Sequence, residues 1–307
     1  MSARIKNCRQ GTVWVAPRFL IMMVLCSVAA GITTVAAQDE EAVEPNGGFF
    51  VGTEVLGLYN ITNGPRAAVG ATVWYQRPII DRRGPLWDSA RIEVGLSNRW
   101  APVFNETKAY LYLEPVAALD ITASVAYQVQ YDELIGGGYY RLTSYDEDPT
   151  EEIPDREITQ GGVVARIAPR FKFAMAGFVA AHTIQISYVD YSALSKEDDK
   201  FDYYLDTGGG IDEVLNERDL WVENSTFLLY EVAPDFLLGL NSVLDAVPDA
   251  DRRNYQFNLA GMFTRTFGND WNINVVGIAG TYLSHRWLEG EPNVTAIVEF
   301  SRPLREN

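Results

Sequence analysis

The chain has 307 residues, and its 41 Asp and Glu outnumber its 25 Lys and Arg, giving a formal net charge of −16. This excess of negative charge excludes nucleic acid as a partner, because its phosphates would be repelled. Both cysteines, Cys8 and Cys26, precede residue 38. The rest of the chain therefore lacks the disulfides that hold many secreted domains together.

The first 37 residues have the pattern of a secretory signal peptide. Basic residues without any acidic residue precede an apolar run over 19–32, and Val35 and Ala37 suit the −3 and −1 positions of a cleavage site. The apolar run is shorter than the ~20 residues that a spanning helix needs. We therefore expect a signal peptide over 1–37 and a short linker over 38–47.

After residue 47, polar and apolar residues alternate with a period of two, which is the period of a β-strand. The clearest example is the segment 121–132, where Ile121, Val125 and Tyr127 fall on one face and Gln128 falls on the other. Helical periodicity is absent from this segment. The alternation predicts strands with one apolar and one polar face.

Twelve segments of this kind follow one another along the chain, over 49–59, 66–77, 88–99, 105–115, 120–131, 160–174, 178–190, 219–232, 236–245, 254–267, 271–284 and 293–301. No apolar run after residue 47 is long enough for a spanning helix. A membrane-spanning fold must then be a closed barrel, in which every strand's backbone groups are satisfied. The sequence predicts an all-β, closed antiparallel transmembrane barrel of about twelve strands over 48–302, with a tail over 303–307.

The connections between segments are short at one end of the predicted barrel and long at the other. The inferred short turns include 116–119, 233–235 and 268–270. The inferred long loops, which are polar and contain glycine, are 132–159 and 191–218. The connection 78–87 is longer than the others at its own end. Short turns on one side and long loops on the other are typical of barrels in outer membranes.

With this alternation and this asymmetry of its loops, the chain resembles the broad class of Gram-negative outer-membrane β-barrel proteins. The resemblance covers 48–302 and rests on architecture, since no motif of a particular family is present. It implies the outer membrane as the location, with outer-membrane lipid, lipopolysaccharide and the barrel-assembly machinery as partners. Many members end at a C-terminal aromatic residue that this machinery recognises, whereas here seven residues follow Phe300.

Catalytic and metal-binding patterns are weak in this sequence. His182 and His285 do not stand in the His-x-Ser or Asp-His arrangements of outer-membrane hydrolases and proteases. Asp206 begins an Asp-Thr-Gly sequence, but aspartic proteases need two such carboxylates and no second copy is present. Acidic clusters at 146–148 and 197–199 lack the spacing of an EF-hand loop and are interpreted as solvated loop residues. We expect no catalytic residues, no cofactor and no metal site.

Charged residues within the strands indicate where function lies. A charge on the lipid face costs ~2–4 kcal/mol at mid-depth, so the alternation assigns these side chains to the lumen. The predicted lumen-lining charges are Arg91, Glu93, Arg99, Lys108, Glu114, Arg166, Arg170, Lys172, Glu223, Glu231 and Glu299. In a wide lumen they would line an aqueous pore and set its selectivity, whereas dense pairing in a narrow lumen would form a plug.

The leading interpretation is a passive, porin-like channel for small polar solutes. The alternative is a non-conducting structural or surface-binding barrel that works through its long acidic outer loops. A soluble exported β-protein and an outer-membrane hydrolase are further alternatives with less support from the residues.

Overall fold

The computed structural model describes residues 47–60, 64–80, 84–102, 104–131, 139–142, 157–158, 160–191, 203–206, 213–248, 252–267, 271–285 and 289–305. These residues form the strands β1 (Gly48–Asn60), β2 (Gly64–Pro78), β3 (Arg91–Ala101), β4 (Phe104–Val116), β5 (Leu119–Gln130), β6 (Tyr139–Leu142), β7 (Glu157–Ile158), β8 (Gln160–Met175), β9 (Phe178–Asp190), β10 (Tyr203–Asp206), β11 (Glu213–Asn216), β12 (Arg218–Ala233), β13 (Phe236–Val247), β14 (Arg252–Phe267), β15 (Trp271–Ser284) and β16 (Pro292–Arg305). The predicted signal peptide, 1–37, lies outside the described residues, as does 38–46 of the predicted linker.

Twelve long antiparallel strands close into one barrel. Their order is β1-β2-β3-β4-β5-β8-β9-β12-β13-β14-β15-β16, and β16 pairs back onto β1. Closure leaves no strand edge unpaired, which is the condition for a sheet to cross a membrane. The predicted fold and its count of twelve strands are confirmed. In the described part of the chain, no helix is both long and apolar enough to span a membrane.

Two strand boundaries differ by three or more residues from those predicted. β16 continues to Arg305, which still pairs with Phe50 of β1, so residues 303–305 belong to the last strand rather than to a tail. The extension was not visible in the sequence because Pro303 and the charged residues around it break the alternation. β3 begins at Arg91, three residues later than predicted.

The connection between β2 and β3 explains both this later start and the unusual length of the 78–87 segment. Gly84, at φ 137°, accepts backbone hydrogen bonds from Trp87 and Asp88 in a compact turn. Leu86 of the turn accepts a 3.0 Å hydrogen bond from the Ala117 N–H of the next turn. The connection therefore folds against its neighbour at the same end of the barrel as the short turns.

The outer face of the barrel is apolar. Leu96, Val125, Phe173 and Leu259 lie on four different strands and are 54–66% exposed. An exposed apolar surface that continues around the barrel is larger than soluble monomers tolerate. Aromatic side chains near strand ends are exposed on the same face, as in the girdles that mark membrane interfaces: they include Trp100, Tyr188, Tyr230 and Trp271.

The two long loops pair with each other and form a second, small sheet, called the outer sheet below. Its order is β11-β10-β6-β7, and β10 of the second loop pairs antiparallel with β6 of the first. Leu215 of β11 is buried in an apolar cluster with Tyr191, Trp221 and Val247, at the loop ends of the barrel strands. The predicted loops thus contain paired strands. The sequence did not indicate them, because these strands are short and their residues are largely polar.

Candidate functional site

Charged residues of β3 and β4 lie on the inner face of the barrel. Directly paired residues of neighbouring strands share one face of a sheet. Arg91 pairs with Glu114 and Arg99 pairs with Glu106, whereas Leu96, of the opposite parity on β3, is 63% exposed to the outside. The same reasoning places the charged residues of β1, β5 and β8 inside.

These inner charges form two clusters at different heights. The turn-side cluster, near the short turns, consists of Arg91, Glu93, Glu114, Asp120, Arg170 and Lys172. The loop-side cluster, nearer the long loops, consists of Glu54, Arg99, Glu106, Lys108 and Arg166. Eight of the residues singled out in the sequence are in these two clusters.

Asp120 is the centre of the turn-side cluster. Its Oδ2 accepts hydrogen bonds from Arg170 Nε at 3.0 Å and Nη2 at 2.8 Å, and it lies 3.0 Å from Lys172 Nζ. Lys172 also donates to Glu114 Oε1 at 2.8 Å. Asp120 is 2% exposed, so its charge is compensated by these two cations rather than by water.

Arg91 forms the lumen-facing edge of the same cluster. Its Nη1 lies 3.1 Å from Glu114 Oε2, and its guanidinium lies 5.0 Å from the centre of the Tyr112 ring. Tyr112 in turn donates a 2.8 Å hydrogen bond to Glu114. The aromatic ring and the carboxylate therefore fix the position of this guanidinium from two sides.

In the loop-side cluster, Arg99 and Arg166 reach across a strand to their partners. Arg99 Nε donates to Glu54 Oε1 at 3.0 Å, and Arg166 Nη1 donates to Glu106 Oε2 at 3.3 Å. Lys108 Nζ lies 3.9 Å from Glu106 Oε1. Among the described residues, every ion pair of the two clusters stays within one strand or joins strands that are adjacent or one strand apart. The pairs follow the wall and do not bridge the barrel.

Three cations of these clusters face the lumen more openly than their carboxylates do, whereas Arg99 is 17% exposed and its partner Glu54 is 21% exposed. The side chains of Arg91 and Lys108 are each 27% exposed and that of Arg166 is 24% exposed. Glu114 and Glu106, their partners, are 5% and 10% exposed. Glu114 and Glu106 therefore lie against the wall, beneath their cations.

The opposite part of the inner face is apolar near the turns. Leu229, Leu237, Met262 and Val276 are buried together, and Phe227 packs against them. They belong to β12, β13, β14 and β15, so side chains fill this part of the barrel.

Closer to the loops, this second wall is lined by amides. Asn258 Nδ2 donates to Asn241 Oδ1 at 3.0 Å, and Asn293 Nδ2 donates to Gln256 Oε1 at 2.8 Å. Asn241 and Asn258 are each 1% exposed. Because these two amides hydrogen-bond to each other, their burial leaves fewer polar atoms without a partner.

The closed sheet thus has an apolar exterior, while its interior holds the charges and amides beside one apolar cluster. That distribution is the reverse of a soluble protein's and fits only a barrel surrounded by lipid. The chain is an outer-membrane β-barrel. Its immediate surroundings are the lipids of the Gram-negative outer membrane.

No family model matches the barrel, and no curated protein matches its sequence. A solved outer-membrane channel from Pseudomonas putida F1 is similar at 9% identity and a TM-score of 0.43, with 88% of this chain and 100% of that chain covered. The NanC porin is similar at 7% identity and a TM-score of 0.38, covering 83% and 100%. The translocator domain of the autotransporter NalP from Neisseria meningitidis is similar at 11% identity and a TM-score of 0.33, covering 84% and 88%. At these identities the likeness concerns the fold alone.

Three of the residues singled out in the sequence lie apart from the two clusters. Glu299 of β16 accepts a 3.1 Å hydrogen bond from Asn274. Glu223 of β12 pairs in register with Gln185 and shares the inner face. Glu231 pairs in register with the buried Leu237 and shares its inner face, but it is exposed at the turn end of β12, next to an irregularity in the pairing.

Sequence reasoning missed the acidic partners of these clusters, which are Glu54, Glu106 and Asp120. Glu106 has the same parity on β4 as Lys108 and Glu114, so the alternation could have revealed it. On β1 and β5 no charge had been singled out with which Glu54 and Asp120 could be compared. Tyr112 was also missed, because an aromatic residue on the polar face of a strand carries no signal by itself.

The two histidines considered in the sequence lie apart from both clusters. His182 is on the outer face and its Nδ1 lies 2.9 Å from Thr226 Oγ1. His285 follows β15 and its ring lies 5.0 Å from that of Tyr282. Within the described residues, no group of three or more His, Cys, Asp or Glu could hold a metal ion. The acidic clusters at 146–148 and 197–199 lie outside the described residues.

Proposed function

We propose that the barrel is a passive channel for small polar solutes, which pass beside the charged wall formed by β1, β3, β4, β5 and β8. The observation that carries the proposal is the exposure of Arg91, Lys108 and Arg166, about a quarter of each side chain. These side chains point into the barrel, so the surface they expose faces the lumen. A lumen packed by interlocking charges would leave them buried.

The two walls divide the interior into a filled part and a polar path. The apolar cluster around Leu229 and Met262 narrows the barrel from one side. On the other side, each cation is held by a carboxylate, so a passing solute meets fixed charges that are already neutralised in part. Such charges favour entry without binding a solute tightly, which is what conduction requires.

The direct test is the conductance of the purified, folded barrel in planar lipid bilayers. We expect discrete current steps for the wild type, and Lys108→Glu should shift the reversal potential in a salt gradient toward cation selectivity. The matched control is Arg265→Glu, the same change of charge at an exposed position on β14, which should leave the reversal potential unchanged. A folded barrel that gives no steps above background would contradict the proposal.

A second candidate is a non-conducting barrel that works through its outer loops. The observation in its favour is the small sheet of β6, β7, β10 and β11, which is attached at the loop ends of the barrel strands through Leu215. Removal of residues 192–214 distinguishes the two candidates. If the sheet covers a channel, conductance increases; if the barrel does not conduct, the bilayer stays silent and only surface binding is lost.

We propose a channel rather than an enzyme. Neither His182, which faces lipid beside Thr226, nor His285, beyond the end of β15, lies among the inner charges. We also propose insertion by the barrel-assembly machinery and contact with lipopolysaccharide at the outer surface. The proposal for the assembly machinery is supported by Phe300, which lies in the last barrel strand.

A further inference from the structure

A row of residues crosses five neighbouring strands on the outer face of the barrel. Phe171 of β8 pairs with His182 of β9, which pairs with Thr226 of β12. Thr226 also pairs with Ser242 of β13, and Ser242 pairs with Phe257 of β14. The two phenylalanines are 50% and 42% exposed, so the whole row faces outward. Its three central members are polar, and we call them the polar row.

The polar row lies within the apolar band rather than at its border. At the turn end of these strands, the rings of Phe178 and Tyr230 lie 4.7 Å apart and mark the interface. His182 lies four residues beyond Phe178 along β9, and Thr226 lies four residues before Tyr230 on β12. At the loop end, Tyr188 of β9 is 45% exposed. The polar row therefore lies between the two aromatic girdles.

Hydrogen bonding within the chain satisfies only part of this surface. His182 Nδ1 and Thr226 Oγ1 are 2.9 Å apart. The second ring nitrogen of His182 and the side chains of Ser242 and Asn224 make no hydrogen bond to any other residue in the described ranges. Asn224 precedes Thr226 by two residues on β12 and so shares its outward face. Lipid chains offer no hydrogen-bond partner, so these groups are unfavourable where lipid covers them.

We infer that the polar row is the contact surface for a second copy of this barrel. In a closed dimer, two copies inserted with the same orientation are related by a two-fold axis along the membrane normal. An axis that passes by Thr226 places its hydroxyl against Thr226 of the partner subunit. Hydroxyl groups both donate and accept, so the contact is self-complementary.

The inclination of the strands adds a second polar contact. Barrel strands are tilted by roughly 40°, so the row lies closer to the loop end of the barrel at Ser242 than at His182. The rows of the two copies therefore cross at Thr226. Rotation about the axis then brings Ser242 near Asn224 of the partner subunit, where a hydroxyl and an amide can form a hydrogen bond. Leu228 and Leu240, 50% and 38% exposed, surround the polar contacts with apolar surface.

Single-cysteine cross-linking tests the inference, because the chain has no cysteine after Cys26. In the full chain with Cys8→Ser and Cys26→Ser, we expect Thr226→Cys to give cross-linked dimers in outer-membrane vesicles with a short thiol-reactive linker. The matched control is Val125→Cys, an outward position on β5 that is 54% exposed. The dimer yield at position 226 should exceed that at position 125 by at least tenfold, and equal yields would overturn the inference.

A second measurement does not depend on cysteine chemistry. In mild detergent, the wild type should sediment as two barrels, whereas His182→Leu combined with Thr226→Val should sediment as one. Heat-modifiable migration on a gel verifies that the variant is folded, and its conductance steps should persist if each barrel conducts by itself. A wild type that sediments as one barrel, or a folded variant that still sediments as two, would overturn the inference.

Discussion

Replacing Asp120 with Asn removes the carboxylate on which two buried cations converge. Arg170 donates to it at 2.8 and 3.0 Å and Lys172 lies 3.0 Å away. Asparagine keeps the size of the side chain but not its charge, so both cations stay buried with one anion fewer. Breaking a buried ion pair costs about 3–5 kcal/mol. Because Lys172 retains Glu114 at 2.8 Å, we expect the lower end, about 3 kcal/mol.

The free energy of unfolding of the barrel in lipid vesicles, measured by urea titration with tryptophan fluorescence, checks this value. The matched control is Arg218→Gln, which breaks another Arg–Asp pair. Arg218 lies 3.2 Å from Asp190, and the two side chains are 62% and 30% exposed. Exposed pairs contribute at most about 1 kcal/mol, so this variant should be nearly as stable as the wild type.

Equal, small effects of Asp120→Asn and Arg218→Gln would refute the reasoning. They would mean that lumenal water screens the turn-side cluster as well as bulk solvent screens the surface pair. The double variant Asp120→Asn with Arg170→Gln supplies a further check. It should be more stable than Asp120→Asn alone, because it no longer leaves the guanidinium without its anion.

Burial lowers the pKa of His285 to about 4, so between pH 6.5 and 4 the unfolded chain binds a proton there that the folded barrel does not. Stability should therefore fall as the pH decreases through this range, by at most about 2 kcal/mol at pH 5; unfolding titrations of His285→Phe should lack this component, and equal pH dependence in both proteins would contradict it. A Cβ at Gly70 would lie 2.7 Å from Glu54 Cγ, so Gly70→Val should displace this carboxylate and cost about 1–3 kcal/mol. Gly277→Val, where no atom lies within 4 Å of the added Cβ, is its control, and equal stability of the two variants would disprove the close packing. Leu215→Ala should loosen the outer sheet and speed limited proteolysis of β10 and β11, with barrel unfolding unchanged; unaltered proteolysis would show that Leu215 does not attach the sheet.

The faces of individual strands could be predicted from the sequence because alternation is a local property. Arg91 and Arg99 have the same parity on β3, and Leu96 has the other, whatever the strand is paired with. The ends of most barrel strands were also predicted to within about three residues, since turn residues and the loss of alternation are local too. The two corrections, at Arg91 and Arg305, fall where a folded turn or a proline disturbs the pattern.

The partners of the inner charges could not be predicted in this way. Arg166 reaches Glu106 across the intervening strand β5, at a sequence separation of 60 residues. That contact depends on the register of two strand pairs, and a slip of one residue in either pair would turn one of the side chains outward. Likewise, nothing near Asp120 in the sequence indicates that Arg170 will lie opposite it.

The amino-acid sequence by itself therefore determined the strands, their apolar faces and the need for closure, because period-two alternation and the absence of a spanning helix are readable from neighbouring residues. Only the tertiary structure decided how the inner surface is divided. The charged wall, the buried apolar cluster around Leu229 and Met262, and the outer sheet all depend on which strands become neighbours. Closure of the barrel is what sets those neighbours, and it places residues far apart in the chain within hydrogen-bonding distance.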